Sequence, residues 1–204
     1  MKNIFIMITI TLIIIYGLYI SKVTMFDGIK KVIIDKSYNK LLIVAHPDDE
    51  TLWGYYQLKN SKGWKILCVT NANNITRVNE LKNIAIHFDT ALEIWNYQDS
   101  AFHYNMHPQL YIDIENEINK SNVKMVLTHN PLGEYGHIQH IKVSNVVLTV
   151  SKKPTYVFSY TPNHKRKSED NEICNLKKYY KSQDKIFQSH CQKITKNKIY
   201  RIIR

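Results

Sequence analysis

Cysteine is scarce in this sequence, and what there is does not cluster. The 204 residues hold three, Cys68, Cys174 and Cys191, with no Cys-x-x-Cys pair. That excludes a thiolate zinc site and offers no disulfide framework, so the thiols are expected to be reduced, as in a cytosolic chain. Motifs built on glycine are missing too. No Gly-x-Gly-x-x-Gly, no P-loop lysine pattern and no Gly-x-Ser-x-Gly occurs, so dinucleotide, nucleoside-triphosphate and serine-hydrolase readings lack support. Internal repeats and low-complexity tracts are likewise absent. Acidic residues are short only near the end. Residues 1–150 carry 14 Lys or Arg against 13 Asp or Glu, whereas residues 151–204 carry 14 against 4, almost the whole formal net charge of +11. A uniformly basic nucleic-acid binder is disfavoured and no nucleic acid is expected as partner; the pattern is a neutral domain with a basic C-terminal region.

With 44% hydrophobic and 22% charged residues, the chain has the composition and length of one folded domain. Its longest apolar run, from Ile4 to Ile20, contains no charge and is not followed by a small-x-small cleavage site. Residues 1–21 are therefore expected to form an uncleaved membrane anchor, with residues 22–38 as a polar linker and 39–204 as the domain. Lys22, Lys30, Lys31, Lys36 and Lys40 follow the run while Lys2 alone precedes it, which directs the domain to the cytosolic side.

Short apolar runs then alternate with amphipathic stretches. Strands are expected at 41–45, 64–70, 91–95, 123–128 and 155–160, and helices at about 50–59, 77–88, 108–120, 137–150 and 175–189. This alternation predicts an α/β fold, a Rossmann-like and mostly parallel sheet with helices on both faces. In such sheets the chemistry gathers where strands end and helices begin.

The first strand ends in His46-Pro47-Asp48-Asp49-Glu50. Neighbouring carboxylates repel each other, and a divalent cation would relieve that repulsion. Side chains one apart point in different directions, so one aspartate can reach a metal while the other takes a proton from metal-bound water. A plain helix N-cap by Asp, with Glu50 favouring the helix dipole, is the structural alternative, and both can hold at once. Behind the fourth strand, Gly136-His137-Ile138-Gln139-His140 sets two imidazoles three apart on one helix face. His46, one Asp of the pair and one of these His would give three protein ligands and an open position. Among the remaining histidines, His129 is notable because it too lies at a strand end.

The His46–Glu50 and Gly136–His140 stretches resemble the zinc-dependent N-acetylglucosaminyl de-N-acetylases, the PIG-L or LmbE-like superfamily. Arg77-x-x-Glu80 and Ser182-Gln183 resemble it as well, and the likeness runs from about Leu41 to Gln188. The resemblance implies one zinc ion held by His46, Asp49 and His140, with Asp48 as general base. It further implies a protonated His137 at the oxyanion and Arg77 on the substrate sugar or phosphate. The implied reaction removes acetyl from an N-acetylglucosaminyl conjugate. With an anchor facing the cytosol, the expected substrate is N-acetylglucosaminyl-phosphatidylinositol, on an endoplasmic-reticulum-type membrane if the cell is eukaryotic. Another N-acetylated sugar is the alternative within the enzyme class. Outside it stands a catalytically silent member that binds membrane or nucleic acid through residues 151–204. Gln139 and Ile138 depart from the family pattern, where Asp or Asn and often Pro stand.

Overall fold

The computed structural model describes residues 2–23, 28–99, 108–159, 171–191 and 199–202. In chain order the elements are α1 (Lys2–Val23), β1 (Lys30–Ile34), β2 (Lys40–Val44), α2 (Asp49–Leu52), α3 (Tyr55–Asn60), β3 (Trp64–Cys68) and α4 (Ile75–Phe88). There follow β4 (Ala91–Trp95), α5 (Pro108–Asn119), β5 (Met125–Thr128), the irregular turn α6 (Gly133–Gly136), α7 (Ile138–Val150) and β6 (Thr155–Phe158). Short α8 (Asn171–Asn175), 3-10 turns at Leu176–Tyr179 and Lys181–Gln183, α9 (Asp184–Cys191) and β7 (Ile199–Ile202) complete the chain.

All seven strands join one sheet in the order β1-β4-β3-β2-β5-β6-β7. The inner five are parallel; β1 runs antiparallel to β4 and β7 antiparallel to β6. The five expected strands are these inner five. The edges were not anticipated, because β1 lies within the stretch read as linker and β7 within the basic C-terminal region. Leu41 to Ala45 are all fully buried, as a strand covered on both faces requires. Leu42 and Val44 pack with α2, α3, α4 and the 171–191 segment, and Leu41, Ile43 and Ala45 pack with α5 and α7. Each fully buried Leu or Ile contributes roughly 1.5–3 kcal/mol to this two-sided core. From β2 the chain moves outward to β3 and β4, then returns to lay β5 on the other side of β2. The crevice over the ends of β2 and β5 is the switch point where such sheets hold ligands.

Two expectations change here. In α1 the described side chains, those of residues 6–16, are exposed. No helix among the described residues is long and apolar enough to cross a membrane, so the N-terminal anchor is not supported. The thiols also differ from expectation. Cys174 and Cys191 form a disulfide with their Cα atoms 5.2 Å apart, and Cys68 is a buried free thiol. Sequence spacing gave no sign of it, since only the packing of α8 beside α9 brings the two together.

Alkylation of the denatured, unreduced chain should label Cys68 alone, read by peptide mass spectrometry. With the bonded cysteines separated by 17 in sequence, Cys174→Ser should lower unfolding free energy by about 3 kcal/mol, measured by urea denaturation under oxidising conditions.

Candidate metal centre

The backbone turns sharply as it leaves β2. Asp48 has φ 134°, a region that costs a non-glycine residue on the order of 1–3 kcal/mol and persists only where neighbours enforce it. Its N–H donates to Glu50 Oε2 at 3.0 Å, and its carbonyl accepts from the N–H groups of Thr51 and Leu52. Glu50 is itself pinned by the hydroxyls of Thr51 and Tyr180. The outcome is that the adjacent aspartates face apart. Asp48 turns to Arg77, whose Nη2 is 3.5 Å from its Oδ2 and donates to the Pro47 carbonyl at 2.5 Å. Arg77 is placed by the first turn of α4, where Asn74 Oδ1 caps its backbone N–H.

Asp49 turns inward and is 3% exposed. Its Oδ2 accepts from the His46 backbone N–H at 2.8 Å and lies 3.3 Å from His46 Nδ1, while its Oδ1 is 3.1 Å from His140 Nε2. Burial opposes its charge, but the imidazoles of His140 and His129 outweigh this and hold the carboxyl well below its usual range. Asp48 moves the other way: burial and the charge of Asp49 push it up, against the pull of Arg77.

His140 sits in the first turn of α7, and its Nδ1 lies 2.6 Å from Glu134 Oε2. The same oxygen takes His129 Nδ1 at 3.0 Å, and Glu134 Oε1 takes the Asn130 N–H. Burial raises the Glu134 carboxyl, yet the two imidazoles prevail and bring it down to about 2. With its Nδ1–H donated to Glu134, a neutral His140 would have its Nε2 lone pair for a cation shared with Asp49. Glu134 reaches this place from φ 56°, after Gly133 at φ 67°. A Cβ at Gly133 would come within 2.7 Å of the Ile141 side chain, so only glycine lets the turn close against α7.

His129 is fully buried: its Nε2 lies 2.9 Å from the Ala45 backbone nitrogen and 3.4 Å from Asp49 Oδ2, and its Nδ1 meets Glu134. It is a strut beneath the site. His137 caps α7, its Nδ1 accepting the Gln139 N–H at 3.2 Å, which leaves its proton on Nε2. Burial and the nearby His140 and His46 rings lower it to about 4, a direction that favours the neutral ring. His46 goes up to about 9, because Asp49 and Asp99 overcome the effect of burial.

The structure thus brings His46, Asp49 and His140 together and sets Asp48, Arg77 and His137 around them. Ligand atoms of His46, His137 and His140 fall within 4.8 Å of one another, as do those of Asp49, His129 and His140. The donor set suits a divalent cation: one carboxylate and two imidazoles, buried, each imidazole backed by an outer carboxylate. The motifs at 77–80 and 182–183 also meet, with the Ser182 N–H and Oγ both donating to Glu80. Sequence reasoning missed Glu134 and Asp99. An acid enclosed by Gly133 and Gly136 shortly before His140 was a signal for the first. Asp99 lies in the segment after β4, and nothing marked it.

Residues 41–151 match the family model described as PIG-L: GlcNAc-PI de-N-acetylase. A protein of Acanthamoeba polyphaga mimivirus, Uncharacterized protein L374, is 36% identical over 172 residues, covering 74% of this chain and 75% of its own. Among solved structures, a deacetylase of the teicoplanin biosynthetic pathway (a triple mutant) aligns with TM-score 0.58 at 14% identity, covering 74% of this chain and 88% of that one. GalB, the 4-carboxy-2-hydroxymuconate hydratase of Pseudomonas putida KT2440, aligns with TM-score 0.53 at 12% identity over 74% and 82%. At such identities the likeness shows the fold: a hydratase and a deacetylase share it.

Because the folded-state Glu134 carboxyl lies near 2 against an ordinary 4.5, its charge stabilises the chain above pH 4.5, and this is lost as pH falls toward 2. Glu134→Gln should remove that part of the acid-induced decline, so urea midpoints at pH 5.5 and 3.5 should differ less in the variant than in the parent.

Proposed function

The chain belongs to the PIG-L family, and on that premise we propose that it is a zinc-dependent hydrolase removing the N-acetyl group of an N-acetylglucosaminyl conjugate. The observation that carries this reading is Asp49 buried between His46 and His140, beside a second carboxylate, Asp48, turned away from the imidazoles. His46, Asp49 and His140 would hold the ion. Asp49 is chosen over His137 as the third ligand because it brings negative charge and both its oxygens face the imidazoles, whereas His137 already spends one nitrogen on its helix. When bound, zinc supplies a Lewis acid and acidifies its water.

The chain's own groups do the remainder. Asp48, raised by burial and held beside Arg77, takes the proton of the attacking water and returns it to the departing nitrogen. His137 Nε2–H donates to the acetamide oxygen as negative charge develops there, a neutral donor needing no protonation. Arg77 holds Asp48 and the Pro47 carbonyl, and its guanidinium would meet the substrate sugar or phosphate. The products are acetate and a free glucosamine amine. Among N-acetylated sugars, N-acetylglucosaminyl-phosphatidylinositol is favoured by the family description; with the membrane anchor unsupported, topology adds nothing to that preference.

Acetate release from synthetic N-acetylglucosaminyl-phosphatidylinositol and from free N-acetylglucosamine, with and without chelator, tests the reading. Chelator-sensitive release from the lipid-linked sugar is expected; no release from either with zinc present would overturn it. Asp48→Asn should keep its zinc and lose about 10²- to 10⁴-fold in turnover. Unchanged turnover would remove Asp48 from the mechanism.

A further inference from the structure

Asp99 and Gln139 play no part in the chemistry above, yet both bear on one proposed ligand. Asp99 Oδ2 lies 3.1 Å from His46 Nε2, and the opposite nitrogen, Nδ1, lies 3.3 Å from Asp49 Oδ2. His140 shows the same arrangement with the ring reversed: Nδ1 on Glu134, Nε2 on Asp49. An imidazole that gives one N–H to a carboxylate offers its lone pair from the other nitrogen. Glu134 is fully enclosed and needs no help to stay in place. Asp99 does, because its side chain is 46% exposed and water competes for it.

The backbone leading to Asp99 is fastened step by step. The Tyr97 N–H donates to the Val69 carbonyl at 2.9 Å, and the next carbonyl, that of Gln98, accepts from Gln139 Nε2 at 3.2 Å. Gln139 is buried at the start of α7, and a carbonyl partner fixes its amide with the NH₂ toward Gln98. Its Oε1 has no partner among the described residues, so that one donor bond accounts for what this buried side chain does. The Gln139 N–H meanwhile serves His137, which makes the residue a junction between α7 and the segment after β4.

We infer that Gln139 is a positioning residue: by gripping the Gln98 carbonyl it sets Asp99 against His46, and Asp99 commits His46 to offering Nδ1 to the cation. This rests on the metal reading of the site. Gln139→Glu keeps the size of the side chain but replaces the donor with an oxygen facing the carbonyl. Asp99→Ala removes the orienting carboxylate from a half-exposed position.

Zinc affinity of the full chain, by competition with a chromophoric chelator, is compared for the parent, both single variants and the double variant. Each single variant should lose about 10- to 100-fold, and the double should lose no more than the weaker-binding single, because both act through one contact. In zinc-loaded parent protein, ¹⁵N correlation spectra should place the His46 proton on Nε2. A parent that binds no zinc overturns this inference and the metal reading together. A parent that binds zinc, with Asp99→Ala binding as tightly, with losses that multiply in the double variant, or with the His46 proton on Nδ1, overturns the inference alone.

Discussion

A carboxylate taken out of water needs positive charge or hydrogen-bond donors within reach, and Asp49 is that carboxylate. Desolvating it costs several kcal/mol, and the imidazoles of His46, His129 and His140 together with the His46 N–H are what offset the cost. The neighbouring geometry follows from that need. Asp48 takes a strained backbone angle so that its own charge faces Arg77 and not Asp49. Glu134 takes another so that one oxygen can serve two imidazoles from behind. Strain of this kind survives because hydrogen bonds on every side enforce it.

The sheet makes the convergence possible. Loops leaving β2, β4 and β5 emerge at the same edge, so His46, Asp99 and His140 meet although some fifty and forty residues separate them along the chain. A hydratase and a deacetylase adopt the same scaffold, so the scaffold supplies the edge and the side chains decide the chemistry.

Much of this was legible from sequence because it is local. A fully buried strand reads as a continuous apolar run, and a His, two Asp and a Glu directly after it are hard to explain without a charge to hold. What stayed hidden depends on partners distant in the chain. β1 and β7 are short edge strands with polar residues, whose pairing with β4 and β6 no periodicity announces. Cys174 and Cys191 meet only because two short helices pack side by side. The outer carboxylates Glu134 and Asp99 look like ordinary loop acids until the rings they face are in place. The apolar N-terminal run suggested a bilayer span by its hydropathy, and no helix among the described residues is long and apolar enough for one.

The hydroxyl of Tyr180 reaches Glu50, and Ser182 reaches Glu80, from the segment bridged by Cys174 and Cys191. During synthesis on the ribosome, every proposed ligand and the general base emerge by residue 140, well before these two supports. A nascent chain halted after α7 would own the whole reactive inventory while Glu50 and Glu80 still lacked their hydroxyl partners. Competence would therefore arrive late in translation, when the segment bridged by Cys174 and Cys191 docks against the site.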